Sequence, residues 1–282
     1  ATVTRAGIPA DWLRGGIALV CHSGDIQEML PLVPKVTEAG WVGKPSTQRG
    51  GTVRFWFRDW KVSGSMAVAQ EDRKFGPILF AMHTLSRRVL KLTAQLAPVE
   101  QPAPAVALEV QQAGNWKRVG EAPADPLSRT ATFRVAGWDD TRDTPYRVVF
   151  GGQNYGGIIR KDPAGKKQIV VAAFTGNNDF GFPHADVVRN VSHFAPDLLA
   201  FTGDQIYERV GEYGIERAPV ETAALDYLRK WYIFGWEYRD LLKDIPAVCL
   251  PDDHDVYHGN IWGAGGRKAV GEGYVGQDQG GF

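Results

Sequence analysis

Apolar residues in the second half of the chain come in short runs, and three of these runs end in the same way. Gln168–Phe174 leads into Thr175-Gly176-Asn177-Asn178-Asp179, and Asp197–Phe201 leads into Thr202-Gly203-Asp204-Gln205-Ile206-Tyr207-Glu208. Ile245–Leu250 leads into Pro251-Asp252-Asp253-His254-Asp255. Each run has the length of a buried strand. Between the first two, His184–Ala195 carries Val187, Val188, Val191 and Phe194 on one helical face, with Pro183 at its start and Pro196 at its end. Between the last two, Pro219–Lys243 reads as a longer helix whose Ala223, Ala224, Leu228, Trp231 and Tyr232 face the sheet, with Gly235 as a point of bending. Alternating strands and helices imply a parallel sheet joined by right-handed crossovers. That geometry gathers Asn177, Asp204 and Asp253 at the carboxyl edge of one sheet, where open α/β sheets place their ligands.

The pattern before this region is different. From Thr52 to Phe150 short runs of β-branched, aromatic and alternating residues follow at close spacing: Val53–Trp60, Pro77–His83, Val89–Leu96, Val106–Gln111, Gly114–Val119, Thr130–Val135 and Tyr146–Phe150. This spacing predicts a β-sandwich. Gln101-Pro102-Ala103-Pro104 is a loop within it, since strands resume beyond. Gly151, Gly152, Gly156, Gly157 and the charged turn Lys161–Lys167 mark the change of pattern. The expected organisation is α/β plus all-β: a sandwich over 1–160, then the first βαβαβ part of an α/β domain over 161–282. Residues 1–50 offer an apolar run, Gly16–Cys21, and then glycines 40, 43, 50 and 51 that read as loop. The tail over 259–282 is glycine-rich and adds no fourth strand. A three-stranded parallel sheet would have an open edge and a thin core. The expectation is therefore a chain that stops inside its second domain.

Composition narrows the function. The 282 residues are 44% hydrophobic and 23% charged, an ordinary globular balance. Lys+Arg and Asp+Glu are both 32, so no net charge draws the chain to polyanions, and dedicated nucleic-acid binding is not expected. No apolar run is long enough to span a bilayer. Cys21 and Cys249 lie in or beside apolar runs and read as buried thiols rather than a disulfide. The neighbours Cys21 and His22 point to opposite faces of a strand, which argues against nucleophilic catalysis there. Trp56, Trp60, Trp116 and Trp138 read as sheet packing ahead of a ligand platform. His83 reads as a hydrogen-bonded structural histidine, while His184, His193 and His258 are assigned no ligand role.

The candidate chemistry lies at the strand ends. Asp204 alone is equally a helix N-cap or a ligand for a hard cation, with Gly203 permitting a tight turn. Tyr207, three residues on, can return a phenolate to the same place, which suits ferric iron. In Asp252-Asp253-His254-Asp255 three acids flank a histidine, and such a group repels itself unless a cation or several donors compensate. Oxygen with nitrogen ligands suits Mn, Fe, Zn or Ca. Two such ions about 4 Å apart would activate a water and clamp a phosphoryl oxygen. His254 would then stabilise charge or protonate the leaving group. Asn177 is a weaker ligand through its amide oxygen.

Gly203-Asp204-Gln205-Ile206-Tyr207-Glu208 and Asp252-Asp253-His254-Asp255 resemble the motifs of alkaline phosphatase D-like enzymes, within the calcineurin-like metallophosphoesterase superfamily. The resemblance covers roughly 168–262 and the sandwich only loosely. It implies a phosphatase or phosphodiesterase with a binuclear site. Asp204 would bridge the metals, Tyr207 would bind iron, and Asp253, beside Asp252, would bind the second ion. His254 would stand by the scissile phosphate. It also implies a periplasmic or secreted protein. Two departures matter: Gly176 stands where relatives often carry a cysteine ligand, with Asn177 as its substitute, and the superfamily's later histidines have no counterpart. A missing C-terminal segment or a second chain would complete the site. The competing expectation is a non-enzymatic sandwich that binds a glycan or a partner, with an inert α/β part.

Overall fold

The computed structural model describes residues 75–99, 103–177, 182–207 and 219–256, with short stretches before them (6, 7, 9, 35–37, 40–42, 61–65, 67 and 68). The strands expected at Gly16–Cys21 and Val53–Trp60, and the glycine-rich tail, lie outside the described residues. The chain divides into two units, Ala1–Val68 and Ala69–Phe282. In the first, β1 (Lys35–Thr37) and β2 (Gly40–Val42) form an antiparallel pair, so Gly40 opens a strand where a loop was expected.

The second unit begins with the sandwich. One sheet holds β3 (Ile78–Ser86), β4 (Val89–Leu96) and β7 (Thr130–Ala136) in the order β3-β4-β7. The other holds β5 (Val106–Gln112), β6 (Asn115–Ala122), β8 (Thr144–Phe150) and β9 (Gln153–Ile159) in the order β6-β5-β8-β9. Leu90, Leu92, Leu108, Phe133 and Val148 fill the space between the sheets, and all are buried. Such side chains contribute about 1.5–3 kcal/mol each when withdrawn from water. β9 falls where the glycines had suggested a junction. Its glycines permit close approach: a Cβ on Gly157 would lie 2.4 Å from the Lys243 carbonyl, and one on Gly156 would lie 2.3 Å from the Tyr146 carbonyl.

The α/β part follows. β10 (Val171–Phe174), α1 (Ala185–His193), β11 (Leu198–Phe201), α2 (Val220–Leu242) and β12 (Ala247–Cys249) alternate, and the three strands pair in parallel in the order β10-β11-β12. Strands added in one direction by right-handed crossovers place both helices on one face, and α1 does touch α2. The pleat agrees. Ala172, Phe174, Leu199, Phe201 and Ala247 turn toward the helices, while Val171, Ala173 and Val248 on the opposite face are exposed. Parallel sheets are ordinarily covered on both faces. Among the described residues this one is covered on one. Val188 and Val191 of α1 pack on the core, but Val187 and the capping Phe194 are exposed.

Helix α2 runs without a break through Gly235. It is buried on two sides because it sits between sheet and sandwich. Phe234 and Tyr238 meet Phe201 at 5.0 and 5.3 Å between ring centroids, while Trp231 meets Phe80 of β3 at 6.1 Å. Trp231 thus faces the sandwich, not the sheet. The seam continues at the helix end, where the Tyr155 hydroxyl donates to the Arg239 carbonyl at 2.8 Å and the Ile158 N–H donates to Asp244 Oδ1 at 2.9 Å. Among the described residues no helix is long and apolar enough to cross a membrane.

His83 departs from expectation. It is buried in β3, its ring 6.0 Å from that of Tyr146, and neither ring nitrogen has a hydrogen-bond partner among the described residues. Burial, helped by the charge of Arg160, lowers its pKa from 6.5 to about 4. The folded chain therefore keeps His83 neutral where the unfolded chain takes up a proton. Its stabilising contribution is complete above pH 6.5 and is lost as pH falls toward 4. Between pH 7.5 and 4.5 the stability difference between wild type and His83→Leu should shift by about 2 kcal/mol against the wild type. Urea unfolding at the two pH values measures it, and a difference that does not move with pH would contradict a buried neutral imidazole.

Candidate metal centre

The three strand ends stay in register past the strands themselves. The Thr202 N–H donates to the Phe174 carbonyl and the Leu250 N–H to the Phe201 carbonyl, both at 2.9 Å. One step further, the Asn177 N–H donates to the Asp204 carbonyl at 2.9 Å. Asn177 and Asp204 are therefore backbone neighbours, as the parallel sheet requires.

The turn after β11 is tight. Gly203 has φ 123° and Asp204 has φ 54°. Aspartate is among the few side chains that visit the left-handed region readily. Glycine at 203 is also a steric need, since a Cβ there would lie 2.4 Å from the Cβ of Asp252 in the neighbouring loop. That close passage brings the β11 and β12 loops together.

One ligating atom each from Asp204, Asp253 and His254 lies within 4.8 Å of the others, and all three residues are half-buried. Tyr207 closes one side. Its hydroxyl donates to Asp204 Oδ2 at 3.1 Å, and its ring lies 4.5 Å from that of His254. Gly176 makes room for the phenol, because a Cβ there would lie 3.3 Å from the Tyr207 oxygen. The other carboxylate oxygen, Asp204 Oδ1, is buried with no hydrogen-bond partner among the described residues. Burial pushes the Asp204 carboxyl above its ordinary range. Asp253 and Asp252 add to the rise, and His254 and the Tyr207 hydroxyl oppose it. Burial, and then the charge of Asp204, raises the Tyr207 phenol to about 12. A cation would offset both burdens, and two carboxylates with an imidazole are a donor set that Mn, Fe or Zn accepts. On these grounds the residues fit a metal.

The remaining sequence candidates are placed as follows. Asn177 is buried, its Oδ1 accepting from the Tyr238 hydroxyl at 2.8 Å while its Nδ2 has no partner among the described residues. Asp252 is exposed, and its Oδ1 accepts the Asp253 N–H at 2.9 Å. Asn178, Asp179, Glu208 and His258 lie outside the described residues. Cys249 is a free thiol that burial pushes up to about 12, so it remains protonated.

Two residues of the site escape sequence reasoning. Tyr238 reaches Asn177 from α2. Helical spacing puts it on the face of Phe234, but no pattern says which residue of that face meets a strand end. Asp255 was part of the acid cluster without a role of its own. It is buried, and its carboxylate accepts the N–H groups of Asp204 at 2.7 Å, Gln205 at 2.8 Å, Asp252 at 2.9 Å and Ile206 at 3.1 Å. Burial pushes this carboxyl up, and the four donors pull it back.

No family model matches the chain, and no curated protein matches it in sequence. Solved structures similar to it include a purple acid phosphatase from yellow lupin (Lupinus luteus) seeds, at 12% identity and TM-score 0.42, over 66% of this chain and 37% of that one. They also include the twitchin kinase region of C. elegans, at 10% identity and TM-score 0.24, over 33% of this chain and 17% of that one. The chain thus spans 37% of the length of the lupin phosphatase. Likenesses this loose carry no argument about the chemistry.

Proposed function

We propose that this chain carries the ligand edge of a metal-dependent phosphoesterase, of the alkaline phosphatase D-like kind, acting on phosphomonoesters or phosphodiesters. The observation that carries the reading is the Asp204 carboxylate, whose buried Oδ1 has no hydrogen-bond partner among the described residues, in a cluster completed by Asp253 and His254. Asp204 and Asp253 would hold the ion, with Tyr207, Asn177 and Asp252 bordering the same edge. When bound, the metal supplies Lewis acidity that activates water and neutralises phosphoryl charge. His254 stands within the cluster, where its imidazole can donate a proton to the departing ester oxygen. Tyr207 holds Asp204 Oδ2 by its hydroxyl and shields one side of His254 with its ring.

Iron, calcium, manganese and zinc all remain compatible with the donors, and a phenol beside Asp204 favours ferric iron. Among the described residues three ligating groups converge and one sheet face is exposed. A further segment, or a second chain, that covers the face and completes a binuclear site belongs to this reading. A periplasmic or secreted location belongs to the same reading.

Hydrolysis of bis(p-nitrophenyl) phosphate and p-nitrophenyl phosphate, with Mn, Fe, Ca or Zn added in turn, tests it. Turnover that requires metal and stops on chelation is the expected result. Metal-independent turnover would contradict the reading, and no turnover with any metal while glycan or partner binding persists would favour the non-enzymatic one.

A further inference from the structure

We propose that Asp255 is a positioning residue that sets the ligand geometry before any metal arrives, an inference that rests on the metal reading above. Its carboxylate touches both ligand loops through their backbone amides. Oδ2 takes the N–H of Asp204 from the β11 loop and the N–H of Asp252 from the β12 loop, at 2.7 and 2.9 Å. Oδ1 takes the N–H groups of Gln205 and Ile206, at 2.8 and 3.1 Å. Each oxygen thus accepts two donors, which leaves no spare lone pair for a metal. Asp255 is therefore a group of the acid run whose task is internal.

The clamp answers a local difficulty. Asp204 sits in the left-handed region, next to a glycine whose φ of 123° is denied to other residues. A turn of that kind relaxes unless its amides are held. Three successive N–H groups, from Asp204, Gln205 and Ile206, converge on one carboxylate and form an anion-binding nest. The fourth donor ties this nest to the chain that carries Asp253 and His254. The distance from Asp204 to Asp253 and His254 is thereby fixed by the backbone, not by the ion. Burial shields the clamp from water, since Asp255 is only 4% exposed.

Asn has the same shape as Asp but replaces one accepting oxygen with a donor, so two of the four N–H groups lose their partner in Asp255→Asn. The test compares wild type, Asp255→Asn and Gly235→Ala. The last loosens the fold at the helix–sandwich seam without touching the loops. Titration with Mn²⁺ gives affinity, thermal unfolding gives stability, and hydrogen exchange reads the amides of Asp204, Gln205, Ile206 and Asp252. The expected result is a 10–100-fold weaker Mn²⁺ affinity in Asp255→Asn, the range seen when groups that orient ligands are removed. Those four amides should also exchange about tenfold faster or more. An affinity loss no greater than in Gly235→Ala at equal loss of Tm would reduce Asp255 to a stabilising residue and overturn the proposal. Unchanged exchange at the four amides would overturn it as well. Wild type that binds no Mn²⁺ would instead sink the metal reading, and the exchange rates would still decide whether the clamp exists.

Discussion

Asp204→Asn is expected to lose metal binding, and any metal-dependent hydrolysis with it, while the metal-free chain unfolds at the wild-type temperature or above. The two halves of this result have one cause. Asp204 is half-buried, its Oδ1 lacks a partner among the described residues, and Asp253 and Asp252 stand close enough to oppose its charge. Without a cation, that carboxylate is a burden on the fold. A neutral amide of the same shape removes the charge. It also tolerates the φ of 54°, and its oxygen can still accept the Tyr207 hydrogen bond. Alanine would confuse the comparison, since its methyl group gains nothing from the left-handed turn. With the central anionic ligand gone, Mn²⁺ affinity should fall by about 100-fold or more, beyond the loss typical of outer groups. Calorimetric titration and a thermal melt on the same preparations read both halves. A variant that binds Mn²⁺ as the wild type does would remove Asp204 from the site. A large loss of apo stability would mean that the carboxylate has a structural partner after all.

Gly235→Ala is expected to have the largest effect on stability among these changes. A Cβ at 235 would lie 1.9 Å from Phe80 Cε1 and 2.1 Å from Cζ, inside the ring's own volume. Phe80 is almost fully buried, with Trp231 against it, so the ring has little room to withdraw. Alanine in place of glycine in a helix interior would by itself stabilise by about 1 kcal/mol. Overpacking of a tight core costs about 1–3 kcal/mol, and more where backbone must move. Since the clash lies with an aromatic ring held by both β3 and α2, the upper end applies. A net loss of about 2 kcal/mol is expected in urea unfolding. A stabilised variant would show that helix and sandwich do not meet at this notch.

The legible part of the sequence was the part governed by period. Strands such as Val89–Leu96 and helices such as Val220–Leu242 follow from alternation and helical spacing, and parallel order follows from their succession. The same succession predicts Asn177, Asp204 and Asp253 at one edge, because parallel strands end together; the ligand atoms found close together are those of Asp204, Asp253 and His254. Glycine was harder to read. The same residue type that signals a loop can instead mark a place where two backbones touch. Thus Gly156 and Gly157 belong to a strand, and Gly235 admits the ring of Phe80 within an unbroken α2. Polar roles inside the core were not legible either. His83 was expected to find a hydrogen-bond partner, but the pleat turns it toward Tyr146 between two apolar sheets. Asp255 and its neighbours Asp252 and Asp253 are chemically alike in sequence, and only the fold assigns one to backbone amides and another to the ligand cluster.

Anomalous diffraction from crystals grown with Mn²⁺ bears most directly on the shared pocket at the sheet edge. The expected map has a manganese peak about 2.0–2.6 Å from oxygens of Asp204 and Asp253, with the His254 imidazole beside it. A map with no peak there at saturating Mn²⁺, or with these three side chains pointing apart, would contradict it.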